Sequence, residues 1–185
     1  MKNAYILMMA IFTVFTTVAQ TKVGGVNLPQ TLNYGESLQL NGAGVREKFW
    51  MDMYVGALYL QEKSSDASAI LNAKSPMAVR LHIVSGLITS DKMIDAVNEG
   101  FENSTNGKTE ALRAEIDKFK GFFKEEIKKG DIFDIVYSAS DGVVVYKNKR
   151  KLGAIEGEAF KKAMYGIWLS HKPADEDLKE GMLGK

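Results

Sequence analysis

The sequence predicts an α+β domain in which an antiparallel sheet carries helices on one face. Three observations point to it. Short runs rich in branched and aromatic residues open the chain and return after residue 130. Three stretches with helical apolar spacing lie between and after those runs. The strands also follow one another through turn residues instead of alternating strictly with helices.

Ahead of the domain, "MKNAYILMMAIFTVFTTVAQ" has a basic start at Lys2, an uncharged run from Ala4 to Val18, and the small residues Thr17 and Ala19 where a cleavage site needs them. The run is shorter than the roughly 20 residues of a spanning helix, and threonines dilute it. Residues 1–19 therefore read as a signal peptide cut after Ala19, and residues 20–185 as one exported domain, periplasmic or secreted, without a stable membrane anchor.

Within the domain, Val23 to Leu28 reads as a strand stopped by Pro29, and Ser37 to Asn41 as one stopped by Gly42. Val45 to Leu60 is apolar at both parities, which predicts one long strand covered on both faces. Ser65 or Asp66 caps a short helix through Asn72, and Pro76 introduces a strand from Met77 to Val84. Ser90 to Phe101 sets Met93, Ile94, Val97 and Phe101 on one helical stripe. Thr109 to Lys128 does the same with Leu112, Ile116, Phe119, Phe123 and Ile127, and Gly130 closes that helix. Strands return at Ile132–Tyr137, Val143–Tyr146 and Lys151–Ile155, with Asp141-Gly142 and Asn148 as turn residues. Phe160, Ala163, Met164 and Ile167 form a last long helical stripe, followed by Trp168 and a short helix from Asp175.

Composition narrows the function. Cleavage removes Lys2 alone, leaving 23 basic and 23 acidic residues, a balance that suits neither nucleic acid nor an anionic surface. With no cysteine there is neither a disulfide nor a thiol nucleophile. The two histidines, His82 and His171, have no ligand spacing around them, so no metal is expected. No Gly-x-Ser-x-Gly occurs, and "NGAG" is not followed by the Gly-Lys-Ser/Thr of a phosphate loop, so no cofactor is expected either.

Arg46, Tyr54 and Tyr59 remain. Arginine offers a fork of donors that matches a carboxylate or enolate oxygen, and a tyrosine hydroxyl in an apolar wall needs a partner. Tyr54 shares the parity of Arg46 and Tyr59 does not, so a flat strand sends the two tyrosines to opposite faces. Eight residues of straight strand span roughly 26 Å, so Arg46 and Tyr54 meet only if the chain turns between them. The residues alone leave open whether Arg46 pairs with a surface acid and the tyrosines simply pack the sheet.

"GAGVR", residues 42–46, resembles the Gly-Ala-Gly-x-Arg segment of the chalcone isomerase-like family, and "VGALYLQ" resembles the strand that follows it. "FKGFFKEEIKKGDIFDIVY" is similar to the family's Phe-rich helix, glycine turn and strand, and "GAIEGEAFKKAMYGIWL" to its final strand and helix. The ending "PADEDLKEGMLG" resembles the bacterial exported branch. The resemblance implies an open-faced β-sandwich with a cleft between sheet and helices. It also implies either an isomerase that cyclises chalcones or a non-catalytic relative that binds fatty acids, with Arg46 holding a negative oxygen in both. In the enzymes a threonine, a tyrosine and an asparagine complete the polar network, and here Tyr54, Thr89 and Ala96 stand near those positions. The expectation is a binding protein for a fatty acid or another small amphipathic or aromatic carboxylate, with Arg46, Tyr54, Tyr59 and Thr89 at the ligand. The alternatives are an isomerase in which Arg46 is catalytic, and a periplasmic scaffold without a ligand.

Overall fold

Two-residue turns set the topology. The computed structural model describes residues 20–185, so the expected signal segment lies outside the described residues. Strands β1 (Gln20–Val23) and β2 (Val26–Pro29) form a hairpin around Gly24 and Gly25, whose φ angles are 52° and 78°. Positive φ at both central residues is the turn whose twist matches paired strands, and glycine supplies it freely. The expected strand from Val23 to Leu28 is therefore a hairpin, with the Gly-Gly pair as its corner.

Seven further strands form one curled antiparallel sheet in sequence order. They are β3 (Thr31–Asn33), β4 (Ser37–Lys48), β5 (Met51–Leu60), β6 (Met77–Ile83), β7 (Ile132–Ser138), β8 (Gly142–Lys147) and β9 (Arg150–Ile155). Two expectations change here. Gly42 does not stop a strand, because β4 runs through it to Lys48. The long run from Val45 to Leu60 is two strands, reversed at Phe49 and Trp50 with φ of 52° and 61°. Aromatic residues are not turn formers, so composition hid this corner.

The helices are α1 (Ala67–Asn72), α2 (Ser90–Ser104), α3 (Arg113–Gly121), α4 (Glu158–Leu169) and α5 (Glu176–Met182). Asp66 caps α1 by accepting the Ala69 N–H at 3.0 Å, and Asp175 caps α5 by accepting that of Leu178 at 2.9 Å. The helix expected through Lys128 ends at Gly121. Adjacent Phe122 and Phe123 reach different partners there: Phe122 packs over Gly153, and the Phe123 ring lies 5.1 Å from that of Phe133. Ile127 still reaches the core, from irregular chain.

The helices cover one face of the sheet, where Phe101, Phe119, Phe160 and Met164 meet Leu58, Val79, Phe133 and Ile135. On the other face β1 and β2 lay Val26 and Leu28 on Val55, Ala57 and Tyr59. Strand β5 is thus buried on both sides over most of its length, as its double apolar parity implies. The buried Asp134 and Lys161 are both engaged. Arg80 makes a two-pronged pair with Asp134 at 2.7 and 2.9 Å, and Lys161 donates to the carbonyls of Leu71 and Ala73 at the end of α1.

Candidate functional site

Strand β4 carries Arg46 to the helix-covered face, and the β4–β5 hairpin returns Tyr54 beside it. The register pairs Arg46 with Tyr54 but Glu47 with Asp52, so Met53 is an extra residue, a β-bulge. Without it Arg46 would pair with Met53, and Tyr54 would point to the opposite face. The Met53 carbonyl accepts the amides of Val84 and Ser85, which holds the bulge against the chain after β6. The Arg46 guanidinium carbon lies 6.0 Å from the centroid of the Tyr54 ring.

Glycines let the last helix lie close on the sheet next to this point. Gly42, Gly44 and Gly56 share the face of Arg46, and α5 lies directly on them. A Cβ at Gly42 would run into the Gly181 carbonyl, and one at Gly44 would stand 3.1 Å from the Leu178 backbone. The "GAG" segment is therefore a smooth strand surface for the last helix, and Arg46 follows where that cover ends.

Two cavities meet at Arg46. The outer one, about 270 Å³, is walled largely by Phe49, Met51, Met53, Leu87, Ile88 and Met93, with Lys48, Lys92, Asp95 and Glu99 around them. The inner one, about 70 Å³, reaches Leu81, Asn103, Ile167 and Trp168. Arg46, Tyr54, Met93, Ala96 and Glu99 line both. Among the described residues Arg46 makes no ion pair, and its Nε is buried without a hydrogen-bond partner. A buried donor left open in a polar-ended, apolar-walled cavity is suited to an acceptor from outside the chain.

Tyr54 is held by Trp168, whose indole N–H donates to the phenol oxygen at 3.0 Å. Burial pushes the Tyr54 phenol above its ordinary pKa, while Arg46 and the Trp168 hydrogen bond oppose that shift and Asp175 adds to it. The phenol therefore stays protonated at neutral pH, a possible donor beside the guanidinium.

Two expected members lie elsewhere. Tyr59 is buried on the opposite face of β5 and donates to the Pro29 carbonyl at 3.0 Å, as its parity requires. Thr89 is exposed and caps α2, its Oγ1 accepting the Lys92 N–H at 3.3 Å; its neighbour Ile88 lines the cavity instead. Trp168, Met93 and Glu99 were not legible as site residues. Met93 was visible only as a core stripe, and nothing local ties Trp168 to a tyrosine 114 residues away.

Sheet, helices and cavity define a class: an antiparallel α+β sandwich with a basic group at an apolar cavity under its helices. The chain belongs to the chalcone isomerase-like family, whose model matches residues 20–184. A fatty-acid binding protein of Arabidopsis thaliana has a similar structure, with a TM-score of 0.67 at 16% sequence identity over 86% of this chain and 92% of that one. At that identity the likeness is one of fold. No curated protein matches the chain.

Proposed function

We propose that this is an exported, non-catalytic binding protein for a fatty acid or a similar small amphipathic carboxylate. The observation that carries the reading is the buried, unpartnered Nε of Arg46 at the junction of two apolar-walled cavities. The guanidinium takes the carboxylate with Tyr54 beside it, and the methionine-rich wall takes the tail. Each charged hydrogen bond contributes about 1.5 to 3 kcal/mol, and each buried methylene about 0.8 kcal/mol, so the tail sets affinity and Arg46 sets orientation. The fatty-acid binding protein that shares the fold supports this choice. An isomerase finds less support, since Ala96 offers no donor where the enzymes have asparagine, and the Thr89 hydroxyl faces the Lys92 amide.

The test is native mass spectrometry of the protein recovered from its own host, read for an N-terminus at Gln20 and for the mass of a bound acid. Arg46→Ala is expected to fold normally and to weaken a fatty acid by about 2 to 4 kcal/mol. Arg46→Lys recovers part of that loss, because an ammonium lacks the bidentate fork. Chalcone cyclisation that vanishes in Arg46→Ala, with no fatty acid bound, overturns the carrier reading. An intact Met1 overturns export.

A further inference from the structure

The β4–β5 turn has a composition that folding does not explain. Among the described residues three two-residue hairpin turns have both central residues at positive φ: Gly24-Gly25, Asn148-Lys149 and Phe49-Trp50. The first two contain a glycine or asparagine, which tolerate that backbone. The third places two aromatic residues there, and neither is repaid in packing: Phe49 is 73% exposed and Trp50 95% exposed. Met51 beside them and Leu87 across the cavity mouth, at 42% and 45%, complete the group of exposed large hydrophobic residues among the described ones. Phe49, Met51 and Leu87 also line the outer cavity, so the exposed apolar tip and the cavity entrance are one continuous surface. Lysines flank it, with the Lys48 Nζ 5.9 Å from the Phe49 ring centroid and Lys92 on the cavity wall.

We propose that this tip is a docking surface for a lipid bilayer, with Phe49 and Trp50 entering the interface and the cavity mouth held against it. Trp and other aromatic rings with neighbouring lysines are the chemistry of the membrane–water boundary, where ring and ammonium each meet the environment they prefer. Attraction by net charge is not the driving force. Glu47 and Asp52 stand opposite each other on the same hairpin, Asp95 and Glu99 line the cavity, and the whole sequence has a net charge of only +1. Docking therefore rests on shallow apolar insertion and is reversible. The functional consequence, exchange of an acyl ligand with the bilayer without crossing water, rests on the carrier reading above. The docking itself does not.

The test is sedimentation of the purified protein with phosphatidylcholine vesicles, with and without phosphatidylglycerol, together with Trp emission. Binding to both vesicle types, nearly insensitive to salt, with a blue shift is expected. The double variant Phe49→Asn, Trp50→Gly installs the residues that the turn prefers, so it is expected to melt at the same or a higher temperature while vesicle partitioning falls at least about tenfold. Leu87→Ser lowers partitioning by a smaller factor. Trp50→Gly alone, at a side chain outside the cavity wall, also lowers partitioning while fatty acid binding from detergent-free buffer stays unchanged, which separates a failure of docking from a failure of the carrier reading. Absence of vesicle binding in the wild type overturns the proposal, as does a double variant that binds vesicles normally or loses thermal stability. A concentration-dependent dimer that forms without lipid and breaks in the double variant overturns it in favour of a second copy of the chain.

Discussion

Arg46 shares its cavity with two acids, Asp95 and Glu99, and is in an ion pair with neither. Glu99 lines both cavities and so faces any carboxylate that reaches the guanidinium. Glu99 is exposed, so its negative charge opposes such a ligand modestly and in a salt-dependent way. Glu99→Gln is therefore expected to tighten fatty acid binding by up to about threefold at low salt, and less at high salt, read by calorimetry. A weaker complex would mean that Glu99 orients Arg46 instead of repelling the ligand. At this scale the sequence went as far as residue chemistry allows. The arginine was legible from its donor fork and the family segment that bears it, and the opposite faces of Tyr54 and Tyr59 from parity. The approach of Arg46 to Tyr54 was not, because it depends on a turn made of aromatic residues and on one bulged residue.

The C-terminal helix α5 shows how an element was legible while its place was not. Its cap, Asp175, and its short span are local facts that the sequence carries. Its seat on Gly42, Gly44 and Gly56 is a contact between chain segments more than a hundred residues apart, and Gly42 read in isolation as the stop of a strand. The same contact yields a stability prediction. Gly42→Ala drives a methyl group into the backbone of α5, and a backbone cannot swing aside as a side chain does. The loss expected in urea unfolding is about 2 to 4 kcal/mol. Gly25→Ala, with open space around it but φ of 78°, should lose only about 1 kcal/mol, from backbone strain. Equal losses would show that α5 adjusts freely, and with it the wall beside Arg46.

The whole molecule buries phenols on both faces of its sheet. Burial pushes the Tyr59 phenol up to about 12, with Arg80 opposing and Asp134 adding to the shift, and burial holds Tyr54 and Tyr165 above the ordinary value as well. The single hydroxyl proton of Tyr165 is shared between the carbonyls of Met77 and Ile135, so it is part of the packing. A folded-state pKa above the unfolded one means that the unfolded chain gives up protons first. Stability from these groups is complete below about pH 10 and declines as pH rises through the folded values, by up to about 1.4 kcal/mol per pH unit for each group. Denaturant midpoints are expected to fall steeply above pH 10, with phenolate absorbance from the buried tyrosines appearing together with unfolding. Tyr59→Phe should flatten part of that fall. Titration of these phenols in a chain that stays folded would contradict it.

The sequence by itself determined the α+β class, most strand and helix positions, the double burial of β5 and the candidacy of Arg46. Each of these follows from apolar period, capping residues or side-chain chemistry within a short window. Tertiary structure decided what depends on distant neighbours. The corner at Phe49-Trp50 holds against propensity because the paired strands fix its ends. The helix expected to Lys128 stops at Gly121 because Phe122 and Phe123 find separate partners across the sheet. The cavities at Arg46 exist because the β4–β5 hairpin, α2 and the end of α4, far apart in sequence, meet around it. A local pattern states which face a residue can take, and only the packed chain states what stands opposite it.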